Sequence, residues 1–181
     1  MRTLTLFTIF TFIAFGLSAQ KYSKASGAAI NFAIKNAGLT VDGKFKSVTA
    51  EGTFDPTNTS NIELSGTAAV KSVFTDNSLR DKHLRNKKDF FNMSKTPTVT
   101  MKSYKVEKIS TGKYSVYWKL TMRGVSKNIK TTVLAKKAGA GYKLTTSFKI
   151  NRNTWDLGGG GIKTIAMGDM VTVSLATTYS K

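Results

Sequence analysis

The chain has 181 residues, with 28 Lys and Arg against 10 Asp and Glu, one histidine, no cysteine and a formal net charge of +18. Its length suits one domain with a sizeable core. The absence of cysteine excludes disulfides and thiolate-held metals, and one histidine is too few ligands for a zinc site.

The first stretch, "MRTLTLFTIFTFIAFGLSAQ", places Arg2 before an apolar run from Leu4 to Leu17 and ends on the small residues Ser18 and Ala19. This is the layout of a secretory signal peptide, with cleavage expected after Ala19. The competing reading is a membrane anchor, but the run is shorter than the roughly 20 residues a spanning helix needs. The expected plan is a leader over 1–19 and one domain over 20–181, placed in the periplasm or secreted. Loss of Arg2 leaves 27 basic and 10 acidic residues, a net of +17. An exported chain with this charge meets anionic lipid headgroups or envelope glycans rather than nucleic acid. The same lysines also serve solubility when they line outward strand faces.

After the leader, apolar and polar residues alternate with period 2. Stretch 28–35 sets Ile30, Phe32 and Ile34 on one face. Stretch 39–54 carries Val41, Phe45, Val48 and Phe54, with Gly43 and Gly52 between them. Stretch 61–75 carries Ile62, Leu64, Gly66, Ala68 and Val70. Further alternating stretches cover 98–109, 113–124, 127–136, 142–152 and 170–179, separated by short turn sequences such as "STGK" (110–113) and "AGAG" (138–141). Loops this short forbid parallel crossovers. The expected fold is all-β: about eight antiparallel strands in a closed barrel, with a two-sheet sandwich as the alternative. The apolar face mixes bulky residues (Phe32, Phe45, Phe54, Trp118, Phe148) with small ones (Gly43, Gly52, Gly66, Ala68). Small residues either leave volume for a ligand or face large ones in a filled core, and the pattern leaves both open.

Residues 76–91 break the strand pattern. Asp76 is a suitable N-cap, and Asp81 suits the positive end of a helix. Leu79, His83 and Phe90 share one arc, and Leu84 and Phe91 an adjacent one. One short amphipathic helix is therefore expected, with its lysines and arginines toward solvent. Pro97 marks the return to strand.

Catalytic and nucleic-acid readings are weak. Asp81 is two positions from His83, so the two do not share a helical face, and no triad forms from this segment. His83 on an apolar arc reads as a hydrogen-bonded packing residue. The "GGGG" run at 158–161 lacks the Lys-Ser/Thr of a phosphate loop and reads as a hairpin or barrel-mouth loop. Tyr22, Tyr104 and Tyr117 are candidate stacking platforms, but most aromatics follow the apolar phase, against a nucleic-acid surface.

Five stretches together carry a family resemblance. "RDKHL" (80–84) with Phe90, Phe91 and Pro97, "LTMRGVSK" (120–127), "INR" (150–152), "GDMVTVSL" (168–175) and "VDGKFKSVTAEGTFDP" (41–56) resemble segments of the YceI-like family. Their order and spacing agree over essentially the whole mature chain. Two departures are Lys35-Asn36, where many members have a histidine in the first strand, and "NTWDLGGGG" after Arg152.

The resemblance implies an extended lipocalin-like barrel with no established catalytic chemistry. It implies an apolar lipid ligand, a polyisoprenoid or isoprenoid quinone, along the barrel axis. The expected contacts are Phe32, Ile34, Phe45, Val70, Phe74, Trp118, Leu120 and Phe148 from the barrel. Leu79, Leu84, Phe90 and Phe91 are expected from the inserted segment, and Trp155 from the altered loop. No metal and no cofactor other than the bound lipid is expected. Peripheral contact with an anionic membrane surface is expected, with no nucleic-acid partner and with room for a homodimer. The competing function is a non-catalytic envelope-surface module that binds anionic lipid or glycan through its basic face.

Overall fold

The computed structural model describes residues 21–158 and 166–181. The expected leader and most of the "GGGG" run lie outside the described residues. Among the described residues, ten antiparallel strands form one sheet. In chain order they are β1 (Lys24–Asn36), β2 (Leu39–Phe45), β3 (Val48–Thr53), β4 (Glu63–Ala69), β5 (Val73–Phe74), β6 (Thr98–Ser110), β7 (Lys113–Met122), β8 (Val125–Ala138), β9 (Gly141–Asn151) and β10 (Met167–Ser180), with α1 (Ser78–Asn86) between β5 and β6. The spatial order is β3-β4-β6-β7-β8-β9-β10-β1-β2-β5. The sheet curls so that β3 comes alongside β1, and Tyr22 and Phe54 exchange both backbone hydrogen bonds (3.0 and 2.8 Å) across the join. The sheet is thus a barrel fastened at one end of its seam.

The strand count is ten rather than about eight because two expected strands each divide. Stretch 39–54 pairs with β1 as far as Phe45, then leaves it at Lys46-Ser47 and joins β4 from Val48. Stretch 61–75 breaks at a short 3-10 turn, Val70–Ser72. The two breaks are bonded to each other. Lys46 N–H donates to the Ser72 carbonyl (3.0 Å) and Ser47 N–H to Ser72 Oγ (3.0 Å), while Ser72 Oγ donates to the Ala69 carbonyl (2.7 Å). The apolar phase slips by one residue at each bend, between Phe45 and Val48 and between Val70 and Val73.

Inward-facing side chains build the core. At the fastened end, Tyr22 and Phe54 meet Tyr142 (ring centroids 5.1 and 5.3 Å), and Phe54 meets Tyr114 at 5.6 Å. Tyr179, 1 % exposed, donates its hydroxyl to the Glu51 carbonyl at 2.9 Å. Burial, with the nearby Glu51 carboxylate, pushes its phenol up to about 12. Aromatic edge-to-face packing closes this end of the barrel.

The other end carries α1, shorter than the expected 76–91. The N-cap is Asn77, not Asp76, with its side chain accepting from Arg80 N–H at 2.9 Å. Asp76 adopts a left-handed φ of 57°. The helix stops at Asn86 because Lys87-Lys88-Asp89 offers no apolar side chain for the core, and a free turn of helix is marginal in water. Phe91 is then placed by its own N–H bond to the Leu84 carbonyl (3.0 Å) rather than by helical periodicity.

Candidate functional site

A cavity of about 490 Å³ lies inside the barrel beneath α1. That is within the range of about 300–1,000 Å³ typical of small-molecule sites. Strand register builds its wall in rows. Phe32 of β1 pairs with Val173 of β10, which pairs with Phe148 of β9. Above and below, Ile34–Val171–Ile150 and Ile30–Leu175–Thr146 repeat the arrangement. Trp118 and Leu120 of β7 and Met101 of β6 line the opposite wall. A chain of rings runs across it, with Phe32–Phe45 centroids at 5.9 Å and Phe45–Phe91 at 5.7 Å.

Small residues play both of the roles left open by the sequence. Gly43 faces a large partner, since the Phe32 ring lies 2.2 Å from where its Cβ would be. Gly66 lines the cavity, and a Cβ there would meet only the Thr49 carbonyl oxygen, at an ordinary 3.6 Å.

Ten of the thirteen expected contacts line this cavity: Phe32, Ile34, Phe45, Leu79, Leu84, Phe90, Phe91, Trp118, Leu120 and Phe148. Leu79 does so from the rim, at 63 % exposure, rather than by packing on the barrel. The remaining three lie elsewhere. Val70 sits in the 3-10 turn and is buried in the core, with its N–H bonded to the Pro97 carbonyl (2.8 Å). Phe74 lies under the Lys46 ammonium, 3.5 Å from its ring centroid, with Lys44 at 5.7 Å. Trp155 is buried in the 3-10 turn Arg152–Trp155 and donates Nε1–H to the Leu120 carbonyl at 3.3 Å. Val171, Val173 and Leu175 were missing from the expected set, although the alternation in 170–179 already placed them on the apolar face.

The polar residues of the signature stretch fix α1 over the cavity. Asp81 is buried, and its Oδ1 accepts from Thr75 N–H (2.9 Å) and Thr75 Oγ1 (2.6 Å). Arg80 Nε–H donates to the same Thr75 Oγ1 at 2.7 Å. Past the helix, Arg123 in the β7–β8 turn donates to the Lys88 carbonyl (2.7 Å) and the Trp155 carbonyl (3.2 Å), joining both capping segments. Arg152, 4 % exposed, donates to the carbonyls of Gly168 (3.0 Å) and Leu157 (2.9 Å) and to Asp169 Oδ1 (3.2 Å). His83 is half-buried and lines the cavity, but its imidazole makes no hydrogen bond among the described residues. The expectation of a hydrogen-bonded histidine is therefore corrected. Asp81 is turned away toward Thr75 and does not orient it.

The YceI-like domain family matches residues 22–179. The chain belongs to the YceI-like family. A UPF0312 protein of Vibrio campbellii is 32 % identical over 133 residues, covering 71 % of this chain and 69 % of that protein. The crystal structure of BcnA from Burkholderia cenocepacia superposes with a TM-score of 0.76 at 22 % identity, covering 83 % of this chain and 95 % of BcnA. A polyisoprenoid binding domain from Saccharophagus degradans, implicated in plant cell wall breakdown, has a TM-score of 0.69 at 17 % identity, with 90 % and 99 % covered. In this YceI-like chain Arg80 and Asp81 have structural tasks, while His83, Leu84, Phe90 and Phe91 face the cavity.

Proposed function

We propose that this protein is a non-catalytic periplasmic carrier that holds one long apolar lipid, a polyisoprenoid or isoprenoid quinone, within the barrel. The observation that carries this reading is the cavity of about 490 Å³ walled by three ladder rows, apolar except for Thr146, and by the Phe32–Phe45–Phe91 ring chain. Burying a methylene gains about 0.8 kcal/mol, so a long chain binds by its length. The fold shared with the polyisoprenoid binding domain of Saccharophagus degradans supports the ligand class.

The leader expected over 1–19 supports the location, and the positive charge supports contact with an anionic membrane. The test is to purify the mature protein, extract it with organic solvent and examine the extract by mass spectrometry. A co-purified prenyl lipid is expected, together with thermal stabilisation by added isoprenoids. An empty extract with no stabilisation overturns the carrier reading and leaves the surface-module alternative.

A further inference from the structure

The barrel wall is incomplete between β1 and β3. β1 pairs with β10 along nearly its whole length, but with β2 only from Ile30 to Asn36. β3 pairs with β4 on its other edge. Between the Ile30–Phe45 pair and the Tyr22–Phe54 bridge, the facing edges of Ser23–Ala29 and Lys46–Thr53 share no ladder pair, although β1 and β3 come within 8 Å Cα to Cα. Seven residues of strand correspond to a slit about 20 Å long. Barrels ordinarily close such edges, because unpaired strand backbone invites other chains.

Small side chains border the slit. Gly27, Ala28 and Ala29 lie on β1, and Thr49 and Ala50 on β3. Gly27 adopts a φ of +60° where the β1–β10 register slips between Ser26 and Ala29, and nothing lies within 4 Å of where its Cβ would be. Strand alternation turns Ile30 and Ala50 inward and leaves Ala29 and Thr49 exposed outside. Ala29 and Thr49 nevertheless line the same cavity as Ile30 and Ala50. The cavity thus reaches both borders of the slit.

We propose that this slit is a lateral doorway, through which a single hydrocarbon chain enters and leaves the barrel side-on. The proposal rests on the lipid-carrier reading. The unpaired edges part without breaking a ladder bond, whereas the far end is sealed by the Tyr22, Phe54, Tyr114 and Tyr142 rings and the mouth is crossed by α1. Side-on exit also lets a chain pass segment by segment into another apolar phase, so that few methylenes meet water at once.

The chain has no cysteine of its own, so a cross-link can be placed cleanly. Ala29→Cys and Thr49→Cys are joined by a short bis-maleimide whose arm contains a disulfide. Uptake of retinol, an isoprenoid whose fluorescence rises in an apolar site, is followed from phosphatidylcholine vesicles. Uptake at least tenfold slower with the bridge intact, recovering when a reductant cuts the arm, is expected. The same bridge between Ser147→Cys and Ser174→Cys, ladder partners on the outer face of β9 and β10, leaves the rate unchanged. Equal uptake with the Ala29–Thr49 bridge intact and cut overturns the doorway while leaving the carrier reading standing. Failure of the unmodified protein to take up retinol overturns the carrier reading and the doorway with it.

Discussion

The ring of Phe32 occupies the space that a side chain on its ladder partner Gly43 would fill. The two residues act as one unit of the cavity wall, in which glycine supplies the floor and phenylalanine the surface. Gly43→Ala sets a methyl 2.2 Å from Phe32 Cζ, so the ring must swing into the cavity. Overpacking of this kind costs about 1–3 kcal/mol. The denaturant midpoint of Gly43→Ala is expected to fall accordingly, and much of the loss to disappear when Phe32→Ala is added. Strictly additive losses in the double variant would show that the two residues do not share the space.

Gly66 makes the opposite prediction. A side chain there has room, its nearest neighbour being the Thr49 carbonyl oxygen at 3.6 Å, and it projects into the cavity. Valine suits the strand backbone and takes up ligand volume. Gly66→Val is expected to keep the thermal midpoint within a few degrees of the native protein while weakening retinol binding at least tenfold. Native-like binding by a folded Gly66→Val protein would place the ligand elsewhere.

The alternation that made β1, β7, β9 and β10 legible is a property of single strands, and it identified the inward faces without the structure. What it could not convey was where a strand changes partner. Val41 to Phe54 reads as one stretch, yet its apolar phase slips between Phe45 and Val48, where the chain leaves β1 and Ser72 accepts the N–H of Lys46 and that of Ser47. Val70 and Phe74 were misplaced for the same reason. They sit on either side of that break, where the phase of the alternation no longer reports which side faces in. Trp155 was misplaced because a 3-10 turn beyond β9 folds it under the barrel wall. His83 was legible as a face residue but not as a cavity residue, since the helix had to be docked before its arc had a neighbour.

The docking of α1 depends on one short polar knot. Thr75 holds Asp81 through both its N–H and its hydroxyl, and the same hydroxyl oxygen accepts from Arg80. Thr75→Val keeps the shape but leaves the buried Asp81 carboxylate with one donor fewer. Unsatisfied buried polar groups of this kind cost about 1–3 kcal/mol. Limited proteolysis should then cut within 76–91 well before the sheet unfolds, with faster retinol release. Unaltered cleavage would mean that the apolar contacts of Leu84 and Phe91 hold the helix without the knot.

Asp55 sets the response to acid. Its carboxylate is fully buried, and burial alone pushes the group up. Four donors outweigh that: Thr57 Oγ1 (2.6 Å), Asn61 Nδ2 (2.9 Å), Thr57 N–H (2.9 Å) and Asn58 N–H (3.1 Å). The result is a carboxyl lowered to about 2, against about 3.9 in an unfolded chain. A depressed carboxyl pKa stabilises the fold above the unfolded value, and the contribution is lost as pH falls through the folded one. The native protein is therefore expected to lose on the order of 1–2 kcal/mol between pH 4 and pH 2 from this group. Asp55→Asn removes the charge and turns an amide donor toward Asn61. That variant should be less stable by a similar amount at pH 7, and the difference from native should shrink as the pH drops to 2. Urea midpoints across that range measure it. A difference that stays constant with pH would assign the loss to packing of the 55–61 loop instead of to the ionised carboxylate.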